Sequence, residues 1–487
     1  MIKSRINIHD RFSIIIDVSY DKLFNKKKSK YTTITYLFFP DSLNINKKTY
    51  PPTKFYNDVR LFLKYETPKY TLDDINTGEE SLFQNLIRNT QKFIHNRSKK
   101  NHLVFKDQVK MFASTFCSLI RNETGSIIRS KDFPDQKFDD FLQKIPFILA
   151  DYRKLVEKIK KSDVKGEVVN VIFYADEHMS NVVEFQLMKL YNHLERKNTP
   201  SDKLIQLVQL INKEQKYKKK GHYDSAKDKK INPDKLLFKQ SQLKKYIESV
   251  FYLNQEVRKD GAVFEQTMLA FAAGLAMVFS TGIAFYYQQV YGNFTMPFFI
   301  ALVMSYMLKD RIKGLISLLF VSRSRFFLND FKIKITNTLG EKIGIFKENF
   351  IFVPIKKLGP KVKKYRLTDM VIKMSEKSLN EQVIQYKKKV IIHPKKFGED
   401  LPDKNINGLT DVTRLNFHRF IQYMDDPKKD FILVKKGEVY HKIANKIYHI
   451  NIIQKFYTEE GIEFRRYRVI MNRDGIRKIE KVSLEDL

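Results

Sequence analysis

From residue 267 to residue 308 the chain carries no charged side chain, although charge is dense on both sides. At about 1.5 Å per residue, residues 267–287 make a helix of roughly 31 Å, close to the hydrocarbon thickness of a bilayer. Leu269, Phe271, Leu275, Val278, Phe279, Ile283 and Phe285 fall in that run. At roughly −0.3 to −0.6 kcal/mol apiece on an insertion scale they supply about −2 to −4 kcal/mol. Gly274, Ser280, Thr281 and Gly282 offset part of it. Gly292-Asn293 then signals a turn, and Pro297 suits the first turn of a second helix. The second apolar run, about 295–308, covers only roughly 21 Å. It must borrow length from 290–294 or let the basic side chains beyond it snorkel. The pattern predicts a two-helix transmembrane hairpin over 263–308. A buried helical hairpin in a soluble core competes with it, but such cores seldom sustain two charge-free spans in succession.

"EVRKDG" precedes the first span, "LKDRIKG" follows the second, and the turn between them is uncharged. Excess Lys and Arg marks the cytoplasmic side, so both termini are expected to be cytoplasmic, at an inner or plasma membrane. Ala270 and Gly274, one helical turn apart, are expected to let backbones approach, within the hairpin or between subunits. No ionisable residue lies in the spanning core, which counts against a pump or carrier.

The remaining pattern divides the chain into a β-rich segment (1–70), a helical bundle (71–212), a Lys-rich linker (213–234) and a juxtamembrane helix (235–262). After the hairpin come a basic amphipathic helix (309–330) and a β-rich cytoplasmic domain (331–487). In 309–330, Ile312, Leu315, Ile316, Leu319 and Phe320 share a helical face flanked by Lys309, Arg311, Lys313, Arg323 and Arg325. These five are candidate contacts to anionic lipid or phosphate, each worth about 1 kcal/mol at such a surface. An ordinary core helix fits the same pattern. Near the end, two strand runs meet across "TEEG", and Asp474-Gly475 turns into a third. Tyr467, Val469 and Met471 should share one face, with Arg466 and Arg468 opposite. The fold class that follows is an α+β integral membrane protein with an antiparallel C-terminal domain.

Composition sharpens this only in part. The chain has 89 Lys+Arg against 55 Asp+Glu, a net charge of +34, which implies a polyanionic neighbour. Biased genome composition would also enrich lysine, yet it should enrich Asp and Glu as well. Hydrophobic content of 43% excludes a mainly disordered chain. Cys117 is the single cysteine, so no intrachain disulfide partner exists and no thiolate cluster can form. The run Ile14, Ile15, Ile16 is too short for a secretory h-region.

Catalytic signatures are absent: no phosphate loop, dinucleotide fingerprint, His-Glu-x-x-His or nucleophile elbow occurs. Asp176, Glu177 and His178 are consecutive. On a helix they point about 100° apart and cannot converge on one ion, so a solvated face is expected. Asp17 follows the apolar run "SIII" as a strand-end carboxylate of a kind both active sites and turns use. Basic residues among aromatics in "FRRYRVIMNR" fit nucleic-acid contact superficially, and solvated arginines on a sheet fit better. The expected function is a non-enzymatic binding or assembly module anchored at the membrane, with no cofactor. Its expected partners are a bilayer with anionic headgroups, a second copy in a homo-oligomer, and nucleic acid or another polyanion. The alternatives are a membrane-tethered enzyme on a phosphate-rich substrate and an oligomeric pore-forming effector.

Overall fold

In the computed structural model, alternating segments toward both ends of the chain fold as strands and the middle folds as helices. It describes residues 2–21, 28–130, 133–161, 167–197, 200–221, 223, 232–338, 340–367, 381–393, 406, 408–435, 437–458 and 461–484. The chain opens with β1 (Ile2–Asp10), β2 (Ser13–Asp21), β3 (Ser29–Pro40), α1 (Pro52–Asp58) and β4 (Val59–Tyr65). A helical bundle follows: α2 (Leu82–His95), α3 (Lys99–Arg129), α4 (Asp135–Lys160), α5 (Glu167–Arg196), α6 (Ser201–Lys220) and α7 (Pro233–Glu248). Next come β5 (Asn254–Lys259) and two long helices, α8 (Ala262–Tyr291) and α9 (Met296–Phe327). The C-terminal part holds β6 (Phe331–Thr336), β7 (Lys342–Phe352), α10 (Pro360–Leu367), β8 (Glu381–Ile392), β9 (Gly408–Asn416) and α11 (His418–Ile421). It ends in β10 (Lys428–Lys435), β11 (Glu438–Asn445), β12 (Tyr448–Tyr457), β13 (Ile462–Asn472) and β14 (Gly475–Val482).

The described strands form three antiparallel sheets, ordered β14-β13-β12-β3-β8-β7-β6-β5, β1-β2-β9-β4 and β10-β11. The N-terminal and C-terminal strands therefore share sheets: β3 lies between β12 and β8, and β9 between β2 and β4. One continuous core runs through the two larger sheets and the bundle. Rings concentrate at its centre, where Phe55 stacks on Phe350 at 4.3 Å and Tyr50 packs edge-on to Phe420. Each such burial contributes about 1.5–3 kcal/mol. The outer face of the large sheet is covered by α10, whose Val362, with the neighbouring Leu358, packs over Ile34, Phe38 and Ile453.

Register fixes one end of the eight-stranded sheet. Pro40 pairs with Glu381, Phe352 with Ile384, Phe331 with Glu348 and Asn451 with Phe38. The β10–β11 hairpin enters β12 at this end, whereas the α8–α9 pair leaves between β5 and β6 from the row of Thr33, seven residues short of Pro40 but pointing the same way.

Several stretches differ in detail from the periodicity reading. The Lys-rich stretch begins inside α6, which runs to Lys220 and buries Lys218; residues 222 and 224–231 lie outside the described residues. Between α7 and the long helices the chain makes a strand, because Asn254–Lys259 pairs along the sheet edge with β6. No break separates 296–308 from 309–327: α9 is one helix, and no glycine or proline between Pro297 and Gly314 interrupts its hydrogen-bond ladder. The C-terminal meander forms as its turn residues indicate, with Gly475 at φ +133° and Tyr467, Val469 and Met471 buried together. Arg466 is not solvated; it is buried and donates to Asn451 Oδ1.

Candidate membrane-contact site

At the start of α8, Gly261 has φ +75°, in the left-handed region that glycine tolerates. A Cβ there would come within 2.6 Å of Leu328, where the chain leaves α9, so glycine lets the two helix feet close together. The feet are tied to the sheet. Asp260 Oδ2 accepts from Asn329 Nδ2 at 2.8 Å and from Lys347 Nζ at 3.0 Å. Burial pushes this carboxyl's pKa up, but those two hydrogen bonds outweigh it and leave it below its ordinary value. Asp330 Oδ2 accepts from the Tyr56 hydroxyl at 2.8 Å and the Phe350 amide at 2.7 Å.

Above the feet the helices run antiparallel along a seam of small residues. Ala272 and Ala276 are fully buried, Ala301 and Ser305 nearly so, and the Ser280 and Ser305 hydroxyl oxygens lie 3.3 Å apart. Small residues four apart let helix backbones approach. Ala270 and Gly274 are not on this seam. Both are exposed, and nothing lies within 4 Å of a Cβ built on Gly274. Two positions turn a helical side chain by about 200°, which separates 270/274 from the 272/276 seam.

The rest of the pair's surface is apolar and bare. Leu275, Val278, Phe285, Leu302, Met304 and Met307 are all exposed, Val278 at 71%. Only 11% of the most apolar window of α8 is buried. A soluble core helix would be mostly covered, and soluble monomers rarely expose contiguous apolar surface beyond a few hundred Å². Among the described residues α8 is the one helix long and apolar enough to cross a membrane. The apolar start of α9 is interrupted by Lys309, Asp310, Arg311 and Lys313.

The predicted basic contacts fall along α9. Lys309 is half-buried with Nζ 3.9 Å from the Tyr306 ring centroid, while Arg311 and Lys313 are exposed. Arg323 and Arg325 belong to α9, but their side chains lie outside the described residues. Counted from Met296, Lys309 stands roughly 20 Å and Lys313 roughly 26 Å down the helix. In a slab of about 30 Å starting at the turn, Lys313 would lie within snorkelling distance of the far face, with Lys309 roughly 10 Å inside it.

The carboxylates that stood out in the sequence are elsewhere and enclosed. Asp176, Glu177 and His178 are buried in α5, not solvated, and the two carboxylates face different partners while His178 Nε2 has none among the described residues. Asp176 takes Arg153 Nε at 3.3 Å and the hydroxyls of Tyr217 and Tyr223 at 2.7 and 3.0 Å. Arg153 also forks onto Glu214 at 3.0 and 2.7 Å, and Glu177 pairs with Lys239 at 2.7 Å. Burial, with Arg121 and Lys244 nearby, pushes the His178 pKa down to about 4. Asp176, Glu177 and Glu214 tie helices together through Arg153 and Lys239, and among the described residues no cluster suits a metal ion. Asp17 sits within β2, not at a strand end, and pairs in register with Val412; burial and then Asp411 raise its pKa against Lys64 and Arg5.

A second enclosed cluster joins the two larger sheets. Lys388 Nζ on β8 meets both Asp411 oxygens on β9 at 2.5 and 2.6 Å and Thr413 Oγ1 at 3.0 Å. Tyr20 on β2 donates to Asp411 at 2.7 Å, and Tyr386 donates to Glu348 beside them. Periodicity marked none of these residues, because an isolated charge in a strand pattern does not reveal which strand it will face. No protein-family model, curated protein or solved structure matches this chain.

Proposed function

We propose that α8 and α9 form a two-pass transmembrane hairpin that anchors a basic α+β body to the cytoplasmic face of an inner or plasma membrane. On this reading the protein is a non-enzymatic binding or assembly module at the membrane surface. The observation that carries it is the bare apolar surface of the helix pair, which a soluble core would have covered. The turn region supports it: Tyr286, Tyr287 and Tyr291 cluster there, as aromatic residues do at membrane interfaces. Lys309, Arg311 and Lys313 then serve as contacts to anionic headgroups on the cytoplasmic side. The outward-facing pair Ala270 and Gly274 offers a close-approach surface for the hairpin of a second copy. The excess positive charge serves the same surface, and nucleic acid or another polyanion is a further partner class that it suits.

Alkaline carbonate extraction after a high-salt wash tests the anchor. The wild-type chain should stay in the membrane pellet, and the L275R/L302R double variant, charged on two exposed positions, should be released. Release of the wild type by salt alone would reject the transmembrane reading.

A further inference from the structure

Among the described residues, β10 and β11 form a two-stranded sheet that joins no other. Val434 pairs with Val439 and Ile432 with His441, so these and Ile443 share one face. Phe431, Leu433 and Tyr440 share the other. The apolar members of both faces are 43–71% exposed. An isolated two-stranded hairpin is marginal in water, and one with two bare apolar faces and two unpaired edges lacks a partner.

Its position indicates the partner. The hairpin leads into β12, which starts at the end of the large sheet marked by Pro40 and Phe352. The α8–α9 pair leaves the sheet in the same direction, four strands away or about 19 Å sideways, from the row of Thr33, seven residues and so roughly 23 Å short of the Pro40 row. We infer that the β10–β11 hairpin is a second membrane-contact element, lying in the anionic headgroup region of the bilayer that receives α8 and α9. This rests on the hairpin reading given above.

Charge favours lipid over a second copy. Residues 428–446 carry six lysines against two acids, so two copies face to face would bring like charges together. Lys356 and Lys357, exposed just after β7, add to the same end. Asp426 and Asp425, just before the hairpin, are engaged within the chain, by Arg473 at 3.0 Å and by Lys446. A headgroup layer also supplies water and polar groups to unpaired strand edges, which hydrocarbon cannot do.

The chain has no tryptophan, so one introduced indole reports without background. Full-length Ile432→Trp and Val278→Trp proteins are reconstituted in vesicles containing phosphatidylserine, and in phosphatidylcholine alone. Ile432→Trp should be quenched by lipids brominated near the headgroup, several-fold more in phosphatidylserine vesicles. Val278→Trp should be quenched by lipids brominated deep in the chains. Quenching of Val278→Trp without quenching of Ile432→Trp overturns this inference and leaves the hairpin standing. Loss of both overturns the hairpin reading and this inference with it. Equal quenching of Ile432→Trp in the two vesicle types removes the anionic preference. An unquenched Ile432→Trp whose emission shifts blue with protein concentration assigns the surface to a second copy instead, which also overturns it.

Discussion

Removing Asp411 should be among the most damaging single changes in the body of this protein. Its carboxylate is fully buried between the two larger sheets and is the charge partner of the Lys388 ammonium, itself 2% exposed. In an Asp411→Leu variant that ammonium keeps only Thr413 Oγ1 at 3.0 Å among its direct partners, and the Tyr20 hydroxyl loses its 2.7 Å acceptor. An orphaned buried charge costs about 3–5 kcal/mol, while the Tyr20 hydroxyl keeps only the longer 3.4 Å contact to Thr33 Oγ1. The expected loss is therefore on the order of 3–5 kcal/mol. The K388M/D411L double variant removes both charges and should cost less than D411L alone, because an apolar pair leaves no ion unsolvated. Urea denaturation followed by circular dichroism in detergent measures D411L, the K388M single variant and the double variant. A D411L cost below about 1 kcal/mol, or a double variant equal to the sum of the singles, would refute this reasoning.

Two other outcomes follow from the geometry. His178 has its pKa pushed from 6.5 to about 4 by burial, so below pH 6.5 the unfolded chain binds the proton that the folded chain refuses. Stability should fall as pH drops from 6.5 to 4, by on the order of 3 kcal/mol, and His178→Leu should flatten that part of the pH profile; an unchanged slope would contradict the burial. Along the helix seam, Ser280→Cys with Ser305→Cys should form a disulfide on mild oxidation, since the parent hydroxyl oxygens are 3.3 Å apart, whereas Gly274→Cys with Ser305→Cys should not. Gel mobility without reductant reads both.

Local order was legible in the sequence, and its long-range pairing was not. Asp474-Gly475 between alternating runs dictated a hairpin because few residues besides glycine accept φ +133° there. The uncharged run at 267–308 likewise announced α8, the one helix among the described residues long and apolar enough to cross a membrane. Nothing in a strand's own alternation, however, says that Thr35 will pair with Gln454 or Tyr20 with Leu409, so the joining of the two ends into shared sheets was hidden. Asp176 and Glu177 looked solvated because helical periodicity counts carboxylates as polar; Arg153 and Lys239, on other helices, are what allow their burial. The seam of Ala272, Ala276 and Ser280 had the same four-residue spacing as Ala270 and Gly274, and only packing against Ala301 and Ser305 separates the two stripes.

The central claim is that the α8–α9 turn lies across the bilayer from the body, and labelling that turn tests it most directly. Cys117 is buried with its thiol pushed up to about 12 by that burial, so it contributes little background. Asn293→Cys, exposed at the turn, should react with a membrane-impermeant maleimide added outside intact cells. Reaction only after lysis would place the turn on the same side as the body and contradict the account.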